Sequence, residues 1–396
     1  MPLPNQSAPA QTRTDRRGVA AGVPDVTEEF NVLNTTRRRS AAIVGLTAVA
    51  GLTLTACSES GGGETQVEGL TDATGQLQGE GATSQQRAMD HFAALYEAAS
   101  PGSTLSYNAT GSGSGQSQFI AGTTAFAGSD SALDEDQVDD AKKRCGGNDA
   151  WHLPMVIGPV AIAYNVEGVD DLVLTPDLVA KIFKGDITEW NDKAIAEANP
   201  DAKLPDEKIT PVYRSEESGT SENFQRFLKD ATDSWDVEPS KSFPKEVGTG
   251  AQGSSGVADQ VSLTPGSITY VESGFAKDKG LGIAQIDFGS GPVELNAESV
   301  NKALSAVEFT GSSENDMVVD TDALFAMTEE GAYPLVLTTY EIVCSSGYDD
   351  QTRDLLKNFL TVVLEKGQSQ ELEDLGYIPV DGDYKAKLKA AVDAIK

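Results

Sequence analysis

Ile209-Thr210-Pro211-Val212-Tyr213-Arg214-Ser215-Glu216-Glu217-Ser218-Gly219-Thr220-Ser221 runs from an apolar strand into small polar residues. Phe224, Phe227, Leu228 and Ala231 then keep the i, i+3, i+4, i+7 spacing of a helix with one buried face. A helix beginning at Ser218-Gly219-Thr220 presents unpaired N–H groups and the positive end of its dipole. Glycine lets a ligand approach the backbone, and the hydroxyls add donors. Arg214, at the strand end, offers a planar fork to an oxyanion, and Glu216 or Glu217 is placed to hold its guanidinium.

Two other segments share this design. Gly79-Glu80-Gly81-Ala82-Thr83-Ser84 precedes a helix whose buried face is Met89, Phe92, Ala93 and Tyr96. Gly111-Ser112-Gly113-Ser114-Gly115 precedes a helix expected over Gln116 to Ala121. Singly, each segment reads as ordinary capping by Ser, Thr and Gly. Three converging ends would form an uncharged cage for a tetrahedral oxyanion. Asp130 closes the strand Ala125–Ser129. A carboxylate there accepts a bond from an anion that still carries a proton, as hydrogen phosphate does. It repels sulfate, which has none at neutral pH.

Further strands are expected at Leu105–Ala109, Met155–Tyr164 (one long buried strand or a pair), Ser267–Val271 and Leu335–Val343, with another helix carrying Leu355, Phe359, Val362 and Val363. The alternation implies α/β layers with largely parallel pairing.

The N-terminal region has a different character. Arg37, Arg38 and Arg39 precede an uncharged run from Ala41 to Ala56, ending Leu52-Thr53-Leu54-Thr55-Ala56-Cys57. This is a secretory signal, too short and too rich in Gly and Thr for a membrane span. Leu-x-Ala-Cys resembles a bacterial lipoprotein signal, so 1–57 is read as the signal region, with Cys57 the lipid-bearing first residue of the mature chain. Residues 1–31 look like neither signal nor domain; one explanation is a start assigned too early, with Val32 the initiator, and the segment is left out of the fold reading. Residues 58–75, with Gly61-Gly62-Gly63, are read as a flexible tether.

The remaining length of about 340 residues fits two lobes. The chain carries net −31; its first 57 residues hold six Arg against four Asp/Glu, which leaves −33 for the rest. That argues against nucleic acid, while a buried anion is decided by local donors. Once Cys57 is assigned to lipid, Cys145 and Cys344 remain, and the exported setting favours a disulfide over two free thiols. His91 and His152, the only histidines, are read as structural. Two isolated histidines supply no metal phosphatase site, and no G-x-S-x-G elbow marks a serine hydrolase.

At Gly79–Thr83, Gly111–Gly115, Gly128-Ser129-Asp130 and Arg214–Thr220 the chain resembles the phosphate-binding lipoprotein of the bacterial phosphate-specific ABC importer. The resemblance implies a two-lobed α/β periplasmic-binding-protein-like fold of type II, with ligand in the cleft. Lobe I is then 76–157 and 334–396, and lobe II 158–333. The chain crosses between them near Ile157–Val160 and Tyr333–Thr338. The resemblance places phosphate donors at Thr83, Ser84, Ser112, Arg214, Ser218, Gly219 and Thr220, with Asp130 as acceptor and Glu216 holding Arg214. Two departures stand out. Many members have Phe where this chain has Ser84, and Asp where it has Glu216. Implied too are a monomer without cofactor or metal, lipid-held at the outer face of the cytoplasmic membrane. It would serve the importer's permease and ATPase subunits. The alternatives are a secreted phosphatase or hydrolase, a binder of another oxyanion, or a phosphate sensor without transport.

Overall fold

The computed structural model describes residues 67–244 and 247–396. The signal region, Cys57 and the tether as far as residue 66 lie outside the described residues. In chain order the elements are β1 (Gly75–Gly81), α1 (Gln86–Ala99), β2 (Ser103–Ala109), α2 (Ser112–Ile120), β3 (Phe126–Ser129), α3 (Glu135–Arg144) and β4 (Ala150–Asn165). There follow β5 (Val173–Leu174), α4 (Pro176–Lys184), α5 (Lys193–Ala198), β6 (Thr210–Arg214), α6 (Gly219–Ala231), β7 (Thr249–Ala251), α7 (Gly253–Leu263), β8 (Ser267–Glu272) and α8 (Ser273–Asp278). The rest are β9 (Gly282–Ile283), β10 (Gln285–Asp287), β11 (Pro292–Val293), α9 (Ala297–Leu304), α10 (Thr321–Phe325), β12 (Val336–Cys344), α11 (Asp350–Val362), a π-helical turn (Val363–Gly367), α12 (Gln370–Asp374) and α13 (Gly382–Ala394).

Among the described residues, the main sheet has the order β2-β1-β3-β12-β4-β8-β6-β7, with β9 added on β4. Pairing is parallel at both ends (β2-β1-β3 and β8-β6-β7) but antiparallel along β3-β12-β4-β8. The expectation of largely parallel pairing is therefore corrected at the centre. The reason is topological: β4 carries the chain out of the first layer, and β12 brings it back alongside β4 in the opposite sense. β4 pairs with β12 over Ala150–Pro159 and with β8 over Val160–Asn165. It is one long strand, buried on both faces, which is why it reads as a near-continuous apolar run.

The helices pack as their periodicity requires. α1 buries Ala88, Met89, Phe92 and Tyr96. Phe126 of β3 stacks on Phe359 of α11, with centroids 5.7 Å apart, and Phe224 of α6 stacks on Tyr270 of β8 at 4.3 Å. Each fully buried ring contributes about 1.5–3 kcal/mol. Residues 67–75, read as the end of a tether, belong to the folded body. Val67, Leu70 and Ala73 pack on the core, and Thr71 exchanges hydrogen bonds with Asn358 of α11. A tether would leave those groups in water; here they shield the outer side of α11.

Cys145, at the C-terminal end of α3, is bonded to Cys344 at the end of β12 across 199 residues. His152 is buried in β4, with Nδ1 2.7 Å from Asp316 Oδ1 and Nε2 accepting from the Leu133 N–H at 3.1 Å. Those partners identify the neutral Nδ1–H tautomer and a structural role. His91 lies on α1.

Candidate functional site

The strand ends of both halves of the sheet meet where β1, β3 and β6 give way to helices. Gly111, at φ +110°, forms the turn into α2, a conformation that favours glycine. The helix starts at Ser112, four residues earlier than expected. The small residues therefore form its first turn rather than a preceding loop. They are small because the helix end is pressed against the chain: a Cβ on Gly115 would lie 2.5 Å from the Gly81 Cα. A Cβ on Gly219 would likewise lie 2.7 Å from both the Asp130 Cβ and the Ser112 Oγ. The N-termini of α2 and α6 thus converge on Asp130.

Every residue singled out as a ligand donor lies in this junction. Ser218 caps α6, its hydroxyl accepting from the Ser221 N–H. Ser112 Oγ accepts from the Asp130 N–H at 3.2 Å. Asp130 is buried, and its carboxylate collects three hydroxyl donors. These are Ser84 at 2.6 Å and Thr339 at 2.8 Å on Oδ1, and Thr220 at 2.9 Å on Oδ2. Burial pushes this carboxyl above its ordinary range; the three hydroxyls and Arg214 act in the opposite direction.

Arg214, 2% exposed, is the cation at the centre. Its Nη2 donates to Thr83 Oγ1 at 2.6 Å, and its Nη1 reaches Thr220 Oγ1 and Ser254 Oγ, both at 3.3 Å. Glu216 Oε1 accepts from Nε at 2.7 Å and from Nη2 as well, so Glu216 is the acidic partner of Arg214. Glu217 instead gives its backbone carbonyl to the Gly113 N–H of α2, at 3.3 Å.

Several groups here had not been singled out. Gly253 and Ser254 begin α7: the Gly253 N–H donates to Glu216 Oε1 at 3.0 Å and the Ser254 N–H to Thr83 Oγ1 at 3.0 Å. Gln252-Gly253-Ser254-Ser255-Gly256 is a fourth strand-to-helix segment of the same composition, so the signal was present. Thr339 comes from the middle of β12, where nothing local marks it. Glu272, at the end of β8, is 1% exposed, with Oε1 3.0 Å from Thr220 Oγ1. Burial, then Asp130, raises its carboxyl. Glu341 lies behind the junction in β12. Burial holds it well above the carboxylate range, against a hydrogen bond from Gln85.

Beside Asp130 opens a cavity of about 420 Å³, lined in part by Asn223, Arg226, Thr310 and Tyr340. No cluster of three or more metal-ligating side chains occurs among the described residues. The chemistry assembled here is one buried guanidinium, several hydroxyls, four helix N-termini and one multiply hydrogen-bonded carboxylate. That set suits an oxyanion that carries a proton.

Comparison with known proteins agrees with this chemistry. Residues 66–366 match the PBP superfamily domain. The chain is 43% identical over 368 residues to phosphate-binding protein PstS 3 of Mycobacterium tuberculosis, covering 90% of this chain and 99% of that one. It is 32% identical over 320 residues to phosphate-binding protein PstS of Xylella fastidiosa, covering 80% and 84%. Its fold is shared with a high-affinity periplasmic phosphate-binding protein solved with phosphate bound, at a TM-score of 0.67 and 22% identity. The alignment spans 80% of this chain and 93% of that one.

Proposed function

The chain belongs to the PBP superfamily and to its phosphate-binding proteins, and from that premise we propose that its cleft captures inorganic phosphate and delivers it to an ABC importer. The observation that carries the reading is Asp130, a carboxylate set among hydroxyl donors beside Arg214. A site for a fully deprotonated anion has no use for an acceptor at that position. A site for hydrogen phosphate does, because the ligand has a proton to give.

In this reading the backbone and hydroxyl of Thr83, the backbone N–H of Ser84 and the hydroxyl of Ser112 donate from lobe I (76–157 and 334–396). Arg214, Ser218 and the backbone N–H groups of Gly219 and Thr220 donate from lobe II (158–333). Asp130 accepts the ligand's proton, and Glu216 keeps the guanidinium planar to the site. Donors from both lobes must reach one anion, so binding energy is spent on closing the cleft, and closure presents a distinct surface to the permease. The chain acts as a monomer, without metal or cofactor, and performs no turnover. It is exported and held by lipid at Cys57 to the outer face of the cytoplasmic membrane.

Calorimetric titration of the purified protein with phosphate and with sulfate tests the reading. Phosphate should bind without added metal. Sulfate, which places a lone pair against Asp130, should be weaker by ~10⁴-fold or more. Sulfate displacing phosphate at comparable concentration refutes it, and release of phosphate from a phosphate ester would instead favour the phosphatase alternative.

A further inference from the structure

Thr220 Oγ1 has one proton and too many acceptors. It lies 2.9 Å from Asp130 Oδ2 and 3.0 Å from Glu272 Oε1, while Arg214 Nη1 approaches it at 3.3 Å as a donor. A hydroxyl donates once and accepts twice. If both carboxyls were ionised, one of the two short contacts would set lone pair against lone pair. One carboxyl therefore carries a proton of its own.

The surroundings decide which one. Asp130 collects hydroxyl donors on both oxygens, from Ser84, Thr339 and Thr220. Glu272 has Thr220 on Oε1, with the Ser254 hydroxyl also acting on the carboxyl, and its buried Oε2 has no partner. Hydroxyl donors stabilise the ionised form, and burial with fewer of them favours the neutral one. The charged and titratable groups that face Glu272 are Asp130 after β3, Arg214 at the end of β6 and Tyr377 beyond α12. A carboxylate at Glu272 would add a second buried negative charge beside Asp130. A neutral acid adds none, and an orphaned neutral carbonyl oxygen costs less than an orphaned charged one.

We infer that Glu272 is held as a neutral carboxylic acid that donates to Thr220 Oγ1 and so keeps the Thr220 proton on Asp130 Oδ2. This rests on the phosphate reading and extends it. Glu272 is a positioning residue, with no contact to ligand. It fixes the Thr220 hydroxyl on Asp130 and leaves Asp130 as the ionised carboxylate that accepts the ligand's proton. The pair divides one job between two carboxyls: Asp130 tests for a proton on the ligand, and Glu272 supplies the proton that keeps Thr220 from turning toward the wrong partner.

Two substitutions and two readouts test the inference on the full chain at neutral pH. Glu272→Gln keeps a donor toward Thr220 and should hold phosphate affinity within about twofold. Glu272→Leu keeps bulk but removes the donor, and should weaken binding about tenfold, the worth of one neutral hydrogen bond. The infrared difference between wild type and Glu272→Gln should show loss of a protonated-carboxyl carbonyl band, which a merely structural role would not produce. A tenfold or greater gain in affinity for Glu272→Gln overturns the inference, because it would mean that a buried negative charge had been removed. So does a Leu variant that binds as well as the Gln variant, or a difference spectrum without the band. Wild-type protein that shows the band yet takes up no phosphate refutes the phosphate reading instead.

Discussion

Asp130→Asn separates anion selectivity from affinity. The wild-type carboxylate is held by Ser84 at 2.6 Å, Thr339 at 2.8 Å and Thr220 at 2.9 Å. All three donors are hydroxyls, which can rotate, so an amide of the same shape can be accommodated by reversing one or two of them. The variant should fold. Asparagine keeps one carbonyl oxygen toward the ligand. Phosphate then loses the difference between a charge-assisted and a neutral bond, about 0.5–2 kcal/mol, or roughly 2–30-fold in Kd. Sulfate gains on two counts, because the repelling charge is gone and the amide nitrogen can donate. The expected ~10⁴-fold preference should fall to about 10²-fold or less. Paired calorimetric titrations at fixed ionic strength measure both anions. Asp130→Asn protein that excludes sulfate as strongly as wild type does would refute the reasoning and move selectivity to the donor geometry. Stability gives a second check. Burial raises the Asp130 carboxyl above its unfolded value of 3.8. Its stabilising contribution is therefore complete below that value and is lost as pH rises through the folded one. The variant does not titrate there, so its thermal stability relative to wild type should improve as pH rises from acid toward neutral.

Arg214→Ala should weaken phosphate binding by at least 100-fold and Ser112→Ala by about 5–10-fold, since several charge-assisted bonds go in one case and one neutral bond in the other; equal losses in calorimetry would show that backbone N–H groups carry the affinity. Reduction of the Cys145–Cys344 bond, which closes a loop spanning 199 residues, should cost ~2–5 kcal/mol of stability while room-temperature phosphate affinity stays the same. A large affinity loss on reduction would mean that the bond shapes the cleft. Glu341, buried in β12 and raised well above its ordinary value of 4.5, contributes stability that is complete below 4.5 and is lost as pH rises through the folded value. Glu341→Gln should therefore match wild type in acid and exceed its melting temperature increasingly toward alkaline pH; a constant difference across the range would show that the group does not titrate on unfolding.

What was legible in the sequence is local. Ser218 caps α6 through the Ser221 N–H, and Arg214 finds Glu216 two residues away. Such contacts depend on spacing along the chain, so residue type and interval are enough to read them. The apolar periodicities of α1, α6 and α11 and the continuous apolar run of β4 are legible for the same reason. Even here the choice between Glu216 and Glu217 stayed open, because it turns on where the loop bends. The bend is fixed by α2, whose Gly113 N–H takes the Glu217 carbonyl.

The completed site belongs to the tertiary structure. Arg214 and Thr83 are 131 residues apart, and Asp130 and Thr339 are 209. They meet because β12 returns antiparallel between β3 and β4, in a register that sets Tyr340 opposite Ser129 and so carries Thr339 to Asp130. No propensity or spacing specifies that register; it follows from how the two halves of the sheet share β4. The proton on Glu272 is more remote still, since it follows from a count of donors and acceptors around Thr220 that exists only once β3, β6, β8 and α6 are packed together. Amino-acid order alone determined which segments can offer N–H groups, hydroxyls and a guanidinium to an anion. Strand pairing decided which of them face one another, because long-range neighbours are chosen by burial and sheet register rather than by distance along the chain.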